Sequence, residues 1–298
     1  MPHARINIRI IIFLSLLAIA GVFSGLAYKA YAKQSELQSR ALTEARLQND
    51  AVGQIETEAR QLLTTAAAAA SHPETCPTAF ADLAKGAPFF AGLTAFDLHG
   101  LAVCTGPATW LKRVDPKLIE SALAGEGFAV GEHTVADTIA KKVLPFAQVF
   151  YDDRHQAQGV VVTMIELDRM ARRLARTWHF EDSVITVADR SANILVRLPN
   201  SASWVGRRLP DELVSVLRQP QPGTTKVALG AGDRVEAIGY VPLTIAPRDL
   251  FVSVHFQTTT VLGEVKRSLR RSVMPVTLVL LAAGLLLVLL PQRSADKL

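Results

Sequence analysis

The sequence predicts an α+β protein in which two similar sheet modules stand in tandem on a long N-terminal helix, with a membrane helix at either end. Three observations carry that reading. Two uncharged apolar runs, Ile10 to Ala27 and Val273 to Leu290, bracket nearly all of the 298 residues. Between them, residues 33–70 hold no Pro and a single Gly, and are rich in Glu, Gln, Arg and Ala. Beyond that stretch, β-branched runs punctuated by Asp and Gly recur in the same order. Aligning Thr94-Ala95-Phe96-Asp97 with Thr186-Val187-Ala188-Asp189 gives a period of 92 residues, too long for a solenoid repeat.

Each apolar run is 18 residues long. At about 1.5 Å per residue it spans roughly 27 Å, close to the ~30 Å hydrocarbon core of a bilayer. The first run has a second reading as a cleaved signal peptide, because Ala30-Tyr31-Ala32 follows a basic start at Arg5 and Arg9. An anchor is preferred, since signal h-regions run about 7–15 residues and Lys29 would fall just before the cut. Two spans place both termini on one side. The basic flanks disagree about which side: Arg5 and Arg9 favour a cytoplasmic N-terminus, whereas Lys266, Arg267, Arg270 and Arg271 precede the second span. The expected segments are a cytoplasmic start at 1–9, a span at 10–28, a long helix at 29–72, a membrane-distal module at 73–180, a membrane-proximal module at 181–258, an exit helix at 259–272, a second span at 273–290 and a tail at 291–298.

In the long helix Val52, Ile55, Ala59, Leu62 and Ala66 fall three and four apart, one apolar seam. That seam suits either its own domain or the same helix of a second subunit. Ser71-His72-Pro73 ends it, because Pro cannot continue a helix. A short helix at 77–85 follows, then a hairpin of 90–96 with 101–104 about Asp97 to Gly100, a helix over 116–124, and a hairpin of 143–151 with 159–167. Asp168 is expected to cap a helix reaching Thr177, whose Arg169, Arg172, Arg173 and Arg176 form a solvated stripe. The second module repeats the plan: strands at 184–188 and 194–198, a helix over 211–218, and strands at 224–229, 234–241 and 250–256, with Gly230-Ala231-Gly232 as a hairpin loop.

Cys76 and Cys104 are the only cysteines, an even count that suits one disulfide in an oxidising compartment or else two unrelated buried thiols. The sequence pI of 9.4 suggests nucleic acid, but ten of the 32 Lys and Arg flank the apolar runs, leaving 22 basic against 25 acidic side chains over residues 34–263. The surplus belongs to lipid headgroups, and no nucleic-acid partner is expected.

The order of several short segments carries a family resemblance: Phe96-Asp97-Leu98-His99-Gly100 with Cys104, Phe128-Ala129-Val130-Gly131-Glu132, Asp152-Asp153 before Gly159-Val160-Val161, Trp204 to Pro210, and Arg267 to Ser272. Over residues 10–290 the chain resembles the double Cache sensor domain, a pair of PAS-like modules found in bacterial sensor kinases, chemoreceptors and GGDEF-type diguanylate cyclases. The resemblance implies a periplasmic small-ligand sensor in the bacterial inner membrane. Such sensors commonly open the helix before Phe128 with an Arg-Pro-Trp-Phe-like segment, and here it reads Asp115-Pro116-Lys117-Leu118-Ile119. Pro145 and Gln148 stand where relatives tend to have Asn and Tyr.

The sequence holds no His-Glu-x-x-His, Cys-x-x-Cys, Walker A or Gly-x-Ser-x-Gly pattern, so neither an enzyme nor a cofactor is expected. The residues expected at a ligand site of the distal module are His133, Lys141, Phe146 and Gln148. A cation, an amide and an aromatic face suit a small organic anion better than a zwitterionic amino acid. Eight residues after Leu290 cannot fold into an output domain. The expectation is therefore a sensor without its own output, with a homodimer and a cytoplasmic signalling partner as further candidate partners. The alternatives are a truncated or split receptor subunit and a structural envelope protein that binds no ligand.

Overall fold

The computed structural model describes residues 8–107, 111–136, 141–178, 182–228, 235–245 and 249–257. Helix α1 (Ile8–Ala70) is 63 residues long and unbroken, so it takes in the whole first apolar run. Its side chains before Gly21 lie outside the described set, and among the described residues no helix is long and apolar enough to cross a membrane. The exit helix and second span expected at 259–290 and the loop at Gly230 to Gly232 also lie outside it. Most of both sheets and α1 from Ser39 onward belong to one compact unit, Ser39–Val227 with Ile238–Phe256. In the other unit, Lys33 and Glu36 pair at 3.4 Å one turn apart on α1.

The apolar seam of α1 is spent inside the chain. Ala41, Ala45, Val52, Ile55, Ala59, Leu63 and Ala66 are all at most 1% exposed. Leu63 rather than Leu62 occupies the seam, because a 3.6-residue period moves the buried position one residue on after Ala59. After Ala70 the chain turns, and Ser71 Oγ donates to Tyr151 O at 2.9 Å. Helix α2 (Cys76–Gly86) starts with Pro in its first turn, where a missing N–H costs nothing. Cys76 at its head bonds Cys104, the Cα atoms being 6.4 Å apart, and this disulfide staples α2 to the sheet.

The first sheet contains β1 (Ala91–Asp97), β2 (Ala102–Thr105), β3 (Phe128–Val130), β4 (Thr134–Ala136), β5 (Lys141–Tyr151) and β6 (Ala157–Glu166). Its order is β2-β1-β6-β5-β3, with β4 also on β5. The second contains β7 (Ser183–Asp189), β8 (Ile194–Leu198), β9 (Gly223–Ala228), β10 (Val235–Val241) and β11 (Leu250–Gln257), in the order β8-β7-β11-β10-β9. Strand for strand the two follow the same path, which makes the 92-residue period a repeat of topology.

The repeat extends to hydrogen bonds. Asp97 Oδ1 accepts from the N–H groups of His99 and Leu101, both at 2.9 Å. Asp189 Oδ1 accepts from Ser191 at 3.0 Å and Asn193 at 2.8 Å. Asp152 closes the β5–β6 hairpin likewise, on Arg154 at 2.9 Å and Gln156 at 2.8 Å. The fourth residue of each turn is left-handed: Gly100, His155 and Ala192 have φ of 77°, 62° and 65°. A carboxylate that satisfies two turn amides is the Asx device that makes Asp a turn former.

Helix α3 (Pro116–Ala124) sits where the sequence puts it, with Asp115 accepting from Lys117 N at 3.0 Å as its cap. Helix α4 (Leu167–Thr177) differs in two respects. Glu166 is its N-cap, and Asp168 lies in the first turn, where it still faces the positive end of the helix dipole. Nor is the Arg stripe simply solvated. Arg173 donates Nη1 to Glu58 Oε2 of α1 at 2.7 Å and Nη2 to Oε1 at 2.5 Å, and lies 4.8 Å over the Phe89 ring. Arg169 donates to Pro88 O at 2.6 Å. The Arg173 pair ties α4 to α1 and holds the Glu58 carboxyl below its usual pKa, chiefly through its hydrogen bonds, while Arg169 ties α4 to the segment before β1. A short 3-10 turn (Ser201–Ser203) and α5 (Asp211–Val214) complete the second module. Helix α5 is half the expected length, the chain continuing as turns through Arg218.

Where α1 crosses β10 the backbones nearly touch. A Cβ on Gly239 would lie 2.2 Å from Ala41 C and from Leu42 N, so only glycine fits there.

Candidate functional site

Pro145 organises one face of the first sheet. Strand β5 pairs with β3 through Phe146 to Gln148 and with β4 through Lys141 to Val143, so Pro145 falls in the gap, where a missing N–H leaves no broken ladder. The chain crosses that gap at Gly131, whose N–H donates to Pro145 O at 2.9 Å. A Cβ on Gly131 would meet Pro145 Cγ at 2.7 Å and Leu118 Cδ1 at 3.3 Å.

Above Pro145 and Gly131 lies a cavity of about 400 Å³, walled by the head of α3 and the β3–β4 loop. A volume of this order is that of a small-molecule site, which runs ~300–1,000 Å³. Its charged lining is Arg113, Asp115, Lys117, Glu120, Glu132 and Arg190, with His133 beside them. Several of these are already engaged: Asp115 caps α3, and Glu132 Oε1 accepts from Ser191 Oγ at 2.6 Å. Arg190 donates Nη2 to Val130 O at 2.6 Å and Nη1 to Ser121 Oγ at 3.4 Å. Among the described residues the side chains of Arg113, Lys117 and Glu120 have no partner. The unpaired groups are thus two cations against one carboxylate.

A larger cavity of about 590 Å³ adjoins it, between α1 and the turn from α3 to β3. Most of its charges answer one another, Glu126 being the lining charge whose side chain has no partner among the described residues. Arg60 pairs with Glu56 at 3.0 Å and covers the Phe128 ring at 3.9 Å, and Asp249 Oδ2 lies 3.9 Å from Arg190. The smaller cavity is the better candidate for an anion, because its unpaired groups include two cations, whereas the unpaired charge of the larger is a carboxylate.

Of the residues expected at a site, His133 lines the smaller cavity. Its Nδ1 lies 3.5 Å from Asp189 Oδ2, an electrostatic contact rather than a formed hydrogen bond. Burial works to raise the Asp189 pKa, but the His133 ring, Asn193 and the Ser191 N–H outweigh it and hold the carboxyl below its ordinary value. The other three stand elsewhere. Lys141 Nζ donates to the buried Glu166 Oε2 at 2.6 Å. Phe146 is 1% exposed, between Phe90 edge-on and Phe128 stacked, both with centroids 6.3 Å away. Gln148 alternates onto the same sheet face as Phe146 and reaches toward Gly127. The four do not share a cavity. Arg113, Lys117 and Arg190 line this cavity without having been singled out in the sequence. The first two flank Asp115-Pro116, a local signal of a helix start. Arg190 has no local signal, because its neighbours lie 60 and 69 positions away.

No protein-family model matches the chain, and no curated protein matches it in sequence. Solved structures match in fold. The ligand-binding domain of the Pseudomonas fluorescens chemoreceptor CtaA in complex with L-isoleucine aligns with a TM-score of 0.61 at 14% identity, over 79% of this chain and 98% of that one. The extracellular domain assigned to a histidine kinase, rpHK1S-Z16, gives 0.59 at 15% identity, over 78% and 97%. An extracellular ligand-binding receptor from Desulfohalobium retbaense gives 0.59 at 11% identity over 73% of this chain, which spans 40% of its length. The chain shares its fold with these extracellular and ligand-binding domains. The matched proteins are ligand-binding or extracellular domains of receptors. Among the described residues no group of three metal-ligating side chains could hold an ion.

Proposed function

We propose that the chain is a membrane-anchored, extracytoplasmic sensor whose distal module binds a small carboxylate. One observation carries this: the cavity between α3 and the β3–β4 loop presents Arg113 and Lys117 without partners. Charged groups left in a concave site recognise the opposite charge, and an Arg beside a Lys suits a carboxylate. His133 stays in the proposed site on the opposite wall; Lys141, Phe146 and Gln148 do not. A second reading, an α-amino acid, is favoured by the unpaired Glu120, which would meet the ammonium, and by the amino acid held in the CtaA domain. The disulfide and the fold support an oxidising compartment, and the helical course of residues 10–27 supports anchoring.

A thermal-shift screen on the chain with organic acids and amino acids tests the site. A ligand at 100 times its dissociation constant adds about 2.7 kcal/mol of stability. The shift should vanish in Lys117→Ala and Arg113→Ala; no shift with any compound removes the reading. For the anchoring, a reporter that fluoresces only in the cytoplasm should be bright at Leu298 and dark at Gly230, and the reverse pattern refutes it.

A further inference from the structure

The wall of the distal cavity is not built by the distal module alone. Arg190 belongs to the β7–β8 turn of the proximal module, yet it lines this cavity together with Ser121 and Glu132. The turn meets the distal module at several points. Arg190 reaches Val130 O at 2.6 Å, Ser191 Oγ reaches Glu132 at 2.6 Å, and Asp189 faces His133 at 3.5 Å. A guanidinium has five N–H donors, and the contacts to Val130 and Ser121 account for two of them. Its side chain is 33% exposed, so donors remain toward the open space.

Resting on the reading of this cavity as the ligand site, we infer that Arg190 is a ligand-binding residue supplied by the proximal module. A carboxylate held between Arg113, Lys117 and Arg190 touches both modules at once. Its binding free energy then depends on where the β7–β8 turn sits, which is the condition for a ligand to shift a conformational equilibrium. The turn carries the effect onward because Asp189 closes β7, and β7 pairs with β11 from Ser183 through Asp189.

The test uses the full chain in detergent with acetate, succinate, L-alanine and L-isoleucine as probes, titrated by calorimetry. For the probe that binds wild type, Arg190→Ala should weaken binding at least tenfold and Arg190→Lys by less. Lys142→Ala removes another bridge between the modules, Lys142 Nζ to Val205 O at 2.6 Å, without touching the cavity, and should stay within about twofold. Amide exchange at Ser191, Ala192 and Asn193 should slow with the probe in wild type and not in Arg190→Ala. Unchanged affinity in Arg190→Ala overturns the inference while leaving the site; a wild type that binds none of the probes removes the site and this role with it.

Discussion

Gly239→Ala probes how α1 is held on the second sheet. The added methyl would stand 2.2 Å from Ala41 C and Leu42 N and 2.3 Å from Ala41 O, all backbone atoms. Ordinary contact begins near 3.4 Å, so helix and strand must separate by about 1.2 Å, with no flexible side chain to absorb it. A radial gap of ~0.5–1 Å already forfeits a quarter to a half of each dispersion contact, and the completely buried Ala41 and Ala45 beside the crossing would lose theirs. Overpacking of this kind costs about 1–3 kcal/mol and sometimes more; backbone on both sides puts this case at about 3 kcal/mol, on the order of a 150-fold drop in the folded ratio. Urea unfolding of residues 33–270 followed by circular dichroism measures it. Gly86→Ala, with nothing within 4 Å of the new methyl, serves as the control and should stay within about 0.5 kcal/mol. A Gly239→Ala midpoint equal to that of the control would refute the close-packed crossing.

Cys104→Ser should destabilise the same segment by about 3.6 kcal/mol, the chain-entropy value for the loop closed by a separation of 28 residues; two titratable thiols in native protein prepared without reductant would contradict it. Because the folded Asp189 carboxyl titrates below its ordinary value, its stabilisation is present above the unfolded pKa of about 3.9 and is lost as pH falls through the lower folded value. Asp189→Asn should therefore flatten the acid limb of a stability profile below pH ~4, leaving the part due to Glu58 and Arg173; an unchanged limb would sink the assignment. Ala192, left-handed at φ 65°, should be improved by Ala192→Gly by up to about 1 kcal/mol. Gly100→Ala, at φ 77° with Val114 O 3.0 Å from the new methyl, should cost about 1–2 kcal/mol, and equal signs for the two would be the wrong outcome.

What the sequence revealed of the fold was whatever has a local cause. Asp97, Asp152 and Asp189 announce their hairpins because the carboxylate closes the turn within five residues, and Asp115-Pro116 announces α3 because both act inside the first helical turn. Strand β4 went unseen: three residues, Thr134 to Ala136, are too few for an alternation to register. The Arg stripe of α4 was misjudged because Glu58 lies 115 positions away. The site was less legible for the same reason. Phe146 and Gln148 look like pocket residues in a strand, but which face they take depends on the pairing register with β3, and that register sets Phe146 between Phe90 and Phe128 and Gln148 beside Gly127.

The Asp-closed turns separate what a loop must do from what it can display. In each the first residue holds the backbone and the fourth takes the left-handed conformation, while the second and third are constrained by neither. Those two positions read Leu98-His99 and Asp153-Arg154 in the first module and Arg190-Ser191 in the second. Evolution can rewrite such a pair without disturbing the hairpin that carries it. Where one sheet module meets the other, such a pair is therefore among the cheapest places for a new surface chemistry to arise, and comparing that dipeptide across chains of this fold would show how freely it varies.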